Sequence, residues 1–389
     1  MLAIKNAKIY TMVGDVIENG VILIEDGKFA EIGANVAIPD WAEVIDAGGH
    51  MVTPGLVDGH THIGLDEEGI GYEGADFNEG TNPITPEMRG IDGVYPCDKG
   101  FLQARQGGIT TVVTGPGSAN CIGGTFLALK TYGDRVDNMV VKNPVAMKIA
   151  FGENPKRFYG KNGKMPMTRM GIIALMRDTL YKARDYMNKK EAGEKVDYNM
   201  QYEALIPVLK GELQVKAHAH RSDDIFSAIR LAKEFNLDLS LEHCTEGHLI
   251  VDELAKEGYP AICGPNLSGA SKYELKNRSF ETPAALYKAG MTVAIMTDNS
   301  VIPTAQLPIC AGLAVKSGLP EMEALKAITI NAAKITQIDD RVGSIEKGKD
   351  ADLVVWTQNP VRDIECEAIY TIINGKIVYN KDIDEKFGF

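Results

Sequence analysis

Residues 52–62 read Val-Thr-Pro-Gly-Leu-Val-Asp-Gly-His-Thr-His, an apolar strand-like run that ends in two histidines, His60 and His62. In a strand, residues i and i+2 point to the same side, so both imidazoles leave one face of the strand end. Two neutral imidazoles placed that way can bind one divalent ion, which a pair on opposite faces cannot. A bare His-x-His pair also recurs by chance, so its meaning depends on what the rest of the chain sets beside it.

Further strand-like runs end in residues of the same chemistry. Residues 213–218 close on His218, residues 239–243 on His243, and residues 293–298 on Asp298. His218 and His243 lie 25 residues apart, about one βα unit, and His243 and Asp298 lie 55 apart, about two. Side chains at the carboxyl ends of successive parallel strands share the face on which barrel active sites are built. The spacing points to imidazoles and a carboxylate gathered around a divalent cation, with one coordination position left for water. Asp298 also has a plainer reading as a helix cap, because Asn299 and Ser300 suit turns.

The pattern between about residues 53 and 340 is alternating strand and amphipathic helix, which predicts βα units around a parallel sheet or barrel. Residues 213–243 show one unit: a strand, a helix opened by Ser222, Asp223 and Asp224, and a second strand. Both chain ends differ. Short strands separated by Asp26-Gly27 near the start and Asn374-Gly375 near the end carry hairpin signals, and predict that the two ends share one β domain. Residues 153–195 interrupt the rhythm with eleven Lys or Arg against five Asp or Glu. A solvated helical insertion is the plain reading of that run. The sharper one is a partly basic lid over the barrel mouth, with Lys156, Arg157 or Arg169 holding an acidic substrate group.

Composition narrows the class. The chain has 389 residues with 44% hydrophobic and 24% charged, as for a soluble globular protein. Its formal charge of −12 disfavours nucleic acid or an anionic membrane as the main partner. Six cysteines are scattered with no Cys-x-x-Cys pair, which fits a reducing compartment. No run approaches the roughly 18 apolar residues of a spanning helix, and the first residues alternate like a strand, so a cytoplasmic location is expected.

With residues 54–62, His218, His243, Thr297-Asp298 and the closing run 343–355 (Gly-Ser-Ile-Glu-Lys-Gly-Lys-Asp-Ala-Asp-Leu-Val-Val) in view, the chain resembles the amidohydrolase superfamily nearly end to end. Within it, the chain is similar to imidazolonepropionase-related and isoaspartyl-dipeptidase-like metal-dependent hydrolases. The resemblance implies an α/β fold: a (β/α)8 TIM-type barrel over 55–340 with a helical insertion at about 153–210, and a small β-sandwich from residues 1–54 and 341–389. It places His60 and His62 on the first strand, His218 on the fifth, His243 on the sixth and Asp298 on the eighth.

At the fourth strand such enzymes carry a carboxylated lysine, a glutamate, or no bridging group. Lys148 is the choice here, because its strand looks buried and desolvation favours the neutral amine that must react with CO2. Glu153 is the runner-up. His220, two residues after His218, is read as a substrate contact, with a metal ligand as the other reading, and Asn120 as a second substrate contact. The Gly-rich turn before Asn120 could hold an anion with backbone N–H groups, or be only a tight turn. His248 and His50 are read as structural.

The expected activity is hydrolysis of a C–N bond in a cyclic amide, N-acyl amino acid or dipeptide-like small molecule, with Asp298 taking a proton from water and returning it to the departing nitrogen. Zinc is the first cofactor candidate, as one or two ions, with manganese, iron or cobalt as alternatives. A deaminase of an amino-heterocycle is the rival within the fold, and a non-catalytic barrel module the rival outside it. A homo-oligomer is a prior for enzymes of this size.

Overall fold

The computed structural model describes residues 1–384 and contains two eight-stranded sheets. The chain opens with β1 (Leu2–Ile9), β2 (Ile17–Glu25), β3 (Lys28–Gly33), β4 (Glu43–Asp46) and β5 (Met51–Pro54). It then lays down β6 (Leu56–Thr61), α1 (Lys99–Gln106), β7 (Ile109–Thr114), β8 (Ile122–Lys130), α2 (Val136–Met139) and β9 (Val140–Ala150). Three helices follow, α3 (Glu153–Gly160), α4 (Arg169–Glu191) and α5 (Met200–Leu209), and then β10 (Gln214–Ala219), α6 (Ser222–Phe235) and β11 (Leu239–His243). The circuit ends with α7 (Val251–Leu254), β12 (Ala261–Cys263), α8 (Thr282–Lys288) and β13 (Val293–Ile295). After α9 (Leu307–Lys316), α10 (Glu321–Ala327) and α11 (Ile330–Ile335), strands β14 (Leu353–Trp356), β15 (Ala368–Ile373) and β16 (Lys376–Asn380) return to the first sheet.

Gly55 separates the two sheets. β5 pairs with β1 and β14, whereas β6 pairs with β7, and the one residue between them has no room for a side chain: a Cβ there would sit 2.0 Å from Thr110 Oγ1. The first sheet runs β16-β15-β14-β5-β1-β2-β3, with β4 on β1, so strands from both chain ends share it. Residues 385–389 of the expected terminal β region lie outside the described residues.

The second sheet runs β6 to β13 in sequence order, a nearly closed barrel. One strand departs from the expected (β/α)8 pattern. β8 is antiparallel to both β7 and β9, while the other neighbouring pairs are parallel. Residues 115–121 between β7 and β8 are too few for the dozen or so residues of a parallel crossover, so the chain turns back on itself. β6 and β13 are joined not by a ladder but by the segment after β13: Asp298 N–H donates to His60 O at 3.2 Å and His62 N–H to Asn299 O at 2.6 Å. That closure threads Asp298 between the two histidines.

Helices cover the barrel where their apolar stripes meet it. Ile172, Met176 and Leu180 of α4 and Ile225 and Ile229 of α6 are buried in one core with Val215 and Ala217 of β10. The outward residues of β10 feed this core, so by strand alternation Lys216, His218 and His220 point into the barrel.

Candidate metal centre

Each candidate side chain sits at or just beyond the carboxyl end of a parallel barrel strand. His60 and His62 come from β6, Lys148 from β9, His218 from β10, His243 from β11, and Asp298 follows β13. Alternation alone explains the first pair, whose ring centroids are 5.5 Å apart. It does not explain His243, because Glu242 and His243 are consecutive and yet both lie against His60. The backbone resolves this: His243, Cys244 and Asp298 have φ of 73°, 49° and 53°. Left-handed backbone is unfavourable for residues with a Cβ and clusters where side chains must be re-aimed.

The imidazoles are buried, and backbone carbonyls fix the tautomer of two of them. His62 Nδ1 donates to Gly115 O at 2.8 Å and His243 Nδ1 to Gly264 O at 2.7 Å, and His220 Nδ1 pairs with the Thr245 hydroxyl at 2.7 Å. Burial lowers the pKa of His243 to about 3, against the opposing charge of Asp298. Burial, assisted by neighbouring cations, also holds His60, His218 and His220 well below the usual histidine range. Neutral imidazole is the ligating form.

Three buried nitrogens, His218 Nδ1, His220 Nε2 and His243 Nε2, have no hydrogen-bond partner. His218, His220 and His243 offer ligand atoms within 4.8 Å of one another, and so does the group His60, His243 and Asp298. Orphaned buried nitrogens are costly unless something satisfies them. A divalent cation does so, and imidazole with carboxylate is a donor set such ions accept, so the residues present fit a metal.

Lys148 is fully buried beside this group, with Nζ 3.0 Å from His60 Nε2. Burial lowers its pKa to about 7, with Asp298 and Glu242 opposing. Asp298 Oδ1 lies 3.6 Å from His60 Nε2 and 3.4 Å from His62 Nε2. Burial pushes its pKa upward, but the closeness of His62 and the nearby charge of Lys148 outweigh it and the carboxyl ends below its ordinary value. Beneath it, buried Asp58 accepts from Thr297 N–H at 3.2 Å and holds the strand end that carries Asp298.

Some expected residues fall elsewhere. Asn120 does not join the imidazoles: its amide donates to Asn82 O and Thr85 Oγ1, at 3.0 and 2.8 Å, and accepts from Tyr159 OH at 3.1 Å. Glu153 turns to the loop after β12, accepting Glu274 N–H at 3.3 Å. In the Gly-rich turn, the N–H groups at Gly117 and Ala119 are taken by Phe77 O and Asn78 Oδ1. Arg169 Nε is bonded to Asp224 at 3.0 Å and lines a separate cavity of about 330 Å³. His248 is paired with Thr282 at 2.9 Å, and His50 precedes β5 in a turn.

The imidazoles open into a cavity of about 770 Å³, lined by His62, His218, His220 and Asp298 at its base and by Arg157, Lys161 and Lys272 higher up. Lys272 Nζ is tied to Asn154 Oδ1 at 2.9 Å and Glu274 at 2.7 Å, which clamps the loop after β12 onto α3. Glu242, Lys216, Lys161 and Lys272 escape a reading of motifs. Only Lys216 and Glu242 left a signal, being charged residues inside apolar strands.

Imidazoles and a carboxylate converging at a barrel mouth define the class of hydrolase that works with a divalent ion. The chain belongs to the Amidohydrolase family, whose model matches residues 51–378, and is a hydrolase acting on carbon–nitrogen bonds. It is 40% identical to an amidohydrolase of Thermotoga maritima MSB8 whose crystal structure superposes with a TM-score of 0.94, over 98% of this chain and 100% of that one. It is 30% identical over 378 residues to amidohydrolase tasK of Hapsidospora irregularis, matching 88% of this chain but spanning only 38% of that protein's length. An imidazolonepropionase of Sphingopyxis alaskensis is 25% identical over 90% of both chains. Among the described residues no helix is long and apolar enough to cross a membrane.

Proposed function

We propose that the protein is a zinc-dependent amidohydrolase with a two-ion centre, acting on a small molecule that carries an amide-type C–N bond and an anionic group. The observation that carries this reading is the set of buried imidazole nitrogens without partners at the mouth of the barrel. His60, His62 and Asp298 would hold one ion, His218 and His243 a second, and Lys148, as a carbamate, would bridge them. A bound divalent ion lowers the pKa of water toward ~7 and polarises a scissile carbonyl.

The chain's own groups supply the rest. Asp298 is placed between His60 and His62 by the barrel closure, and its carboxylate accepts the proton of the attacking water and returns it to the departing nitrogen. Lys148 has the two properties carbamate formation needs: it is buried, and its amine has no carboxylate within hydrogen-bond reach. His220 faces the cavity beside His218 and contacts the substrate. Arg157 and Lys161 receive the anionic group, since neither has an ion-pair partner among the described residues.

We further read residues 1–54 with 341–384 as a β-sandwich unit beside the 55–340 barrel, supported by the shared cluster of Ile4, Ile22, Phe29, Val52, Leu353 and Ile372. Six unpaired cysteines support a cytoplasmic location.

The test joins metal analysis with a substrate screen over cyclic amides, N-acyl amino acids, dipeptides and amino-heterocycles. Protein depleted of metal should lose turnover and recover it with zinc, manganese or cobalt. Asp298→Asn should keep the ions while losing ~10²–10⁴-fold in kcat. A protein that binds no divalent ion under any of these conditions sinks the reading, and ammonia as the product from amino-heterocycles alone moves it to the deaminases.

A further inference from the structure

The four imidazoles that converge with Asp298 and have an anchored Nδ1 are not anchored alike. His62 and His243 give their Nδ1 protons to the neutral carbonyls of Gly115 and Gly264, and His220 pairs with a hydroxyl. His60 alone meets a carboxylate, with Nδ1 2.7 Å from Glu242 Oε2. Both residues are completely buried.

Glu242 is itself held on every side. Ser240 Oγ donates to its Oε1 at 2.6 Å, and Lys216 Nζ lies 3.1 Å from its Oε2. Lys216, also fully buried, donates a second bond to Gly59 O at 3.1 Å, the peptide that leads into His60. Register makes this arrangement. On the parallel strands β9, β10 and β11, Lys148, Lys216 and Ser240 are in line, and His218 is opposite Glu242. The inward row therefore stacks a charged layer directly beneath the imidazoles.

We propose that Glu242, neutralised by Lys216 and steered by Ser240, is a positioning residue that locks His60 with its proton on Nδ1 and its bare Nε2 turned to the site. With Ser240 Oγ–H and Lys216 Nζ–H directed at its two oxygens, the carboxyl group meets His60 Nδ1 as an acceptor, which fixes the tautomer. A carboxylate behind an imidazole also raises the donor strength of its far nitrogen. His60 Nε2 accordingly accepts from Lys148 Nζ at 3.0 Å and faces Asp298 Oδ1 at 3.6 Å. Of the anchored imidazoles, His60 is the one backed by a carboxylate and so the one built to be the strongest donor.

The consequence for ion binding rests on the proposed metal centre, whereas the tautomer does not, and the experiment separates them. Full-length protein with ¹⁵N-labelled histidine, of which the chain has seven, is examined by long-range proton–nitrogen correlation, metal-free and zinc-loaded, with His60→Gln giving the assignment. Wild-type protein should show His60 protonated at Nδ1 without metal. The double variant Glu242→Leu/Lys216→Met removes both buried charges together, so it avoids stranding either one. It should lose that signature, and the loaded protein should release zinc to a chelator ~10–100-fold faster, at an unchanged melting temperature. Lys216→Met alone leaves the carboxylate on His60 and should retain the Nδ1–H signature. If the double variant does not fold, Glu242→Gln is the replacement, and it should speed zinc release without altering the His62 or His243 signals. A folded double variant with wild-type His60 signals and wild-type zinc release overturns the proposal. Wild-type protein that takes up no zinc would break the hydrolase reading and leave the tautomer result to decide the role of Glu242.

Discussion

Two buried clusters of charge sit at opposite ends of the barrel, and only one has the marks of a site. Because β8 runs antiparallel, its last residue, Lys130, lies beside Thr111 at the start of β7, away from the imidazoles. There Lys130 pairs with Asp350 at 3.0 Å and with Asp352. Asp350 also takes Lys28 at 2.5 Å and Arg341 at 2.7 Å, and Asp352 accepts Asn374 N–H at 2.9 Å. Burial opposes ionisation of Asp350, but Lys130 and its other cations outweigh that and hold its pKa below the ordinary value. At the mouth, by contrast, Lys148 has one hydrogen-bond partner, an imidazole, and three neighbouring imidazole nitrogens have none. Burial of charge is common to both ends. Unmet bonding capacity is what separates a seam from a site.

The same substitution should therefore act oppositely at the two ends. Lys130→Met leaves buried Asp352 without a cation, while Asp350 keeps Lys28 and Arg341, and should cost ~3–5 kcal/mol in denaturant unfolding, with metal content unchanged. Lys148→Met exchanges a desolvated amine for an apolar chain of similar reach, so metal-free stability should move by less than ~1 kcal/mol while turnover falls ~10²-fold or more. Equal loss of stability in both variants would erase the distinction between the clusters.

Asp224 lies between these extremes. It is bonded to Arg169 at 3.0 Å, yet burial raises its pKa from 3.8 to about 6 in spite of the arginine. A raised carboxyl binds its proton more tightly in the folded state. Its contribution is therefore complete below 3.8 and is lost as pH rises through about 6. The displacement from 3.8 to about 6 corresponds to at most ~3 kcal/mol. Asp224→Asn should gain stability relative to wild type by up to that amount between about pH 4 and about pH 7, measured by urea unfolding at each pH. A difference that does not change with pH would show that Arg169 compensates the carboxylate fully and that this pair belongs with the satisfied seam.

How much of this was legible in the sequence follows from which rule each residue obeys. His60 and His62 obey alternation, and Lys148, His218 and His243 fall at strand ends that apolar runs mark plainly. The direction of β8 is not legible, because Ile-Gly-Gly-Thr-Phe-Leu-Ala-Leu-Lys is equally apolar whichever way it runs. The short link 115–121 was the available signal. The bonding of Asn120 is not legible in the sequence, because nothing local shows that Asn82, Thr85 and Tyr159, all distant in sequence, use its amide. Lys216 and Glu242 lie in the strands that carry His218 and His243, and only the closing of the barrel, which sets their side chains against Gly59 and His60 of β6, brings them to His60. Side chains re-aimed by left-handed backbone, as at His243, are set by tertiary packing and leave no periodic trace.

The smallest expected effect concerns the rim of the mouth, where the comparison is least one-sided. The expected basic lid divides: Arg169 is spent on Asp224 and Lys156 does not line the cavity, whereas Arg157 does, joined by Lys161, which was not among the expected residues, and neither has an acidic partner among the described residues. Both are exposed, so water screens them, and each is worth at most ~1 kcal/mol to a bound anion. In the proposed function they receive substrate and leave the chemistry below them unchanged. Replacing both with alanine should raise KM for an anionic substrate ~5–10-fold at low salt and leave kcat within about twofold. The difference should shrink toward nothing at high ionic strength, since exposed charges more than ~10 Å apart are screened at ~0.1 M salt. A neutral analogue of the same substrate should be indifferent to the change. If KM for every accepted substrate is unmoved, the rim cations belong with solvated surface charge, and the unmet capacity that defines the site is confined to the imidazoles at its base.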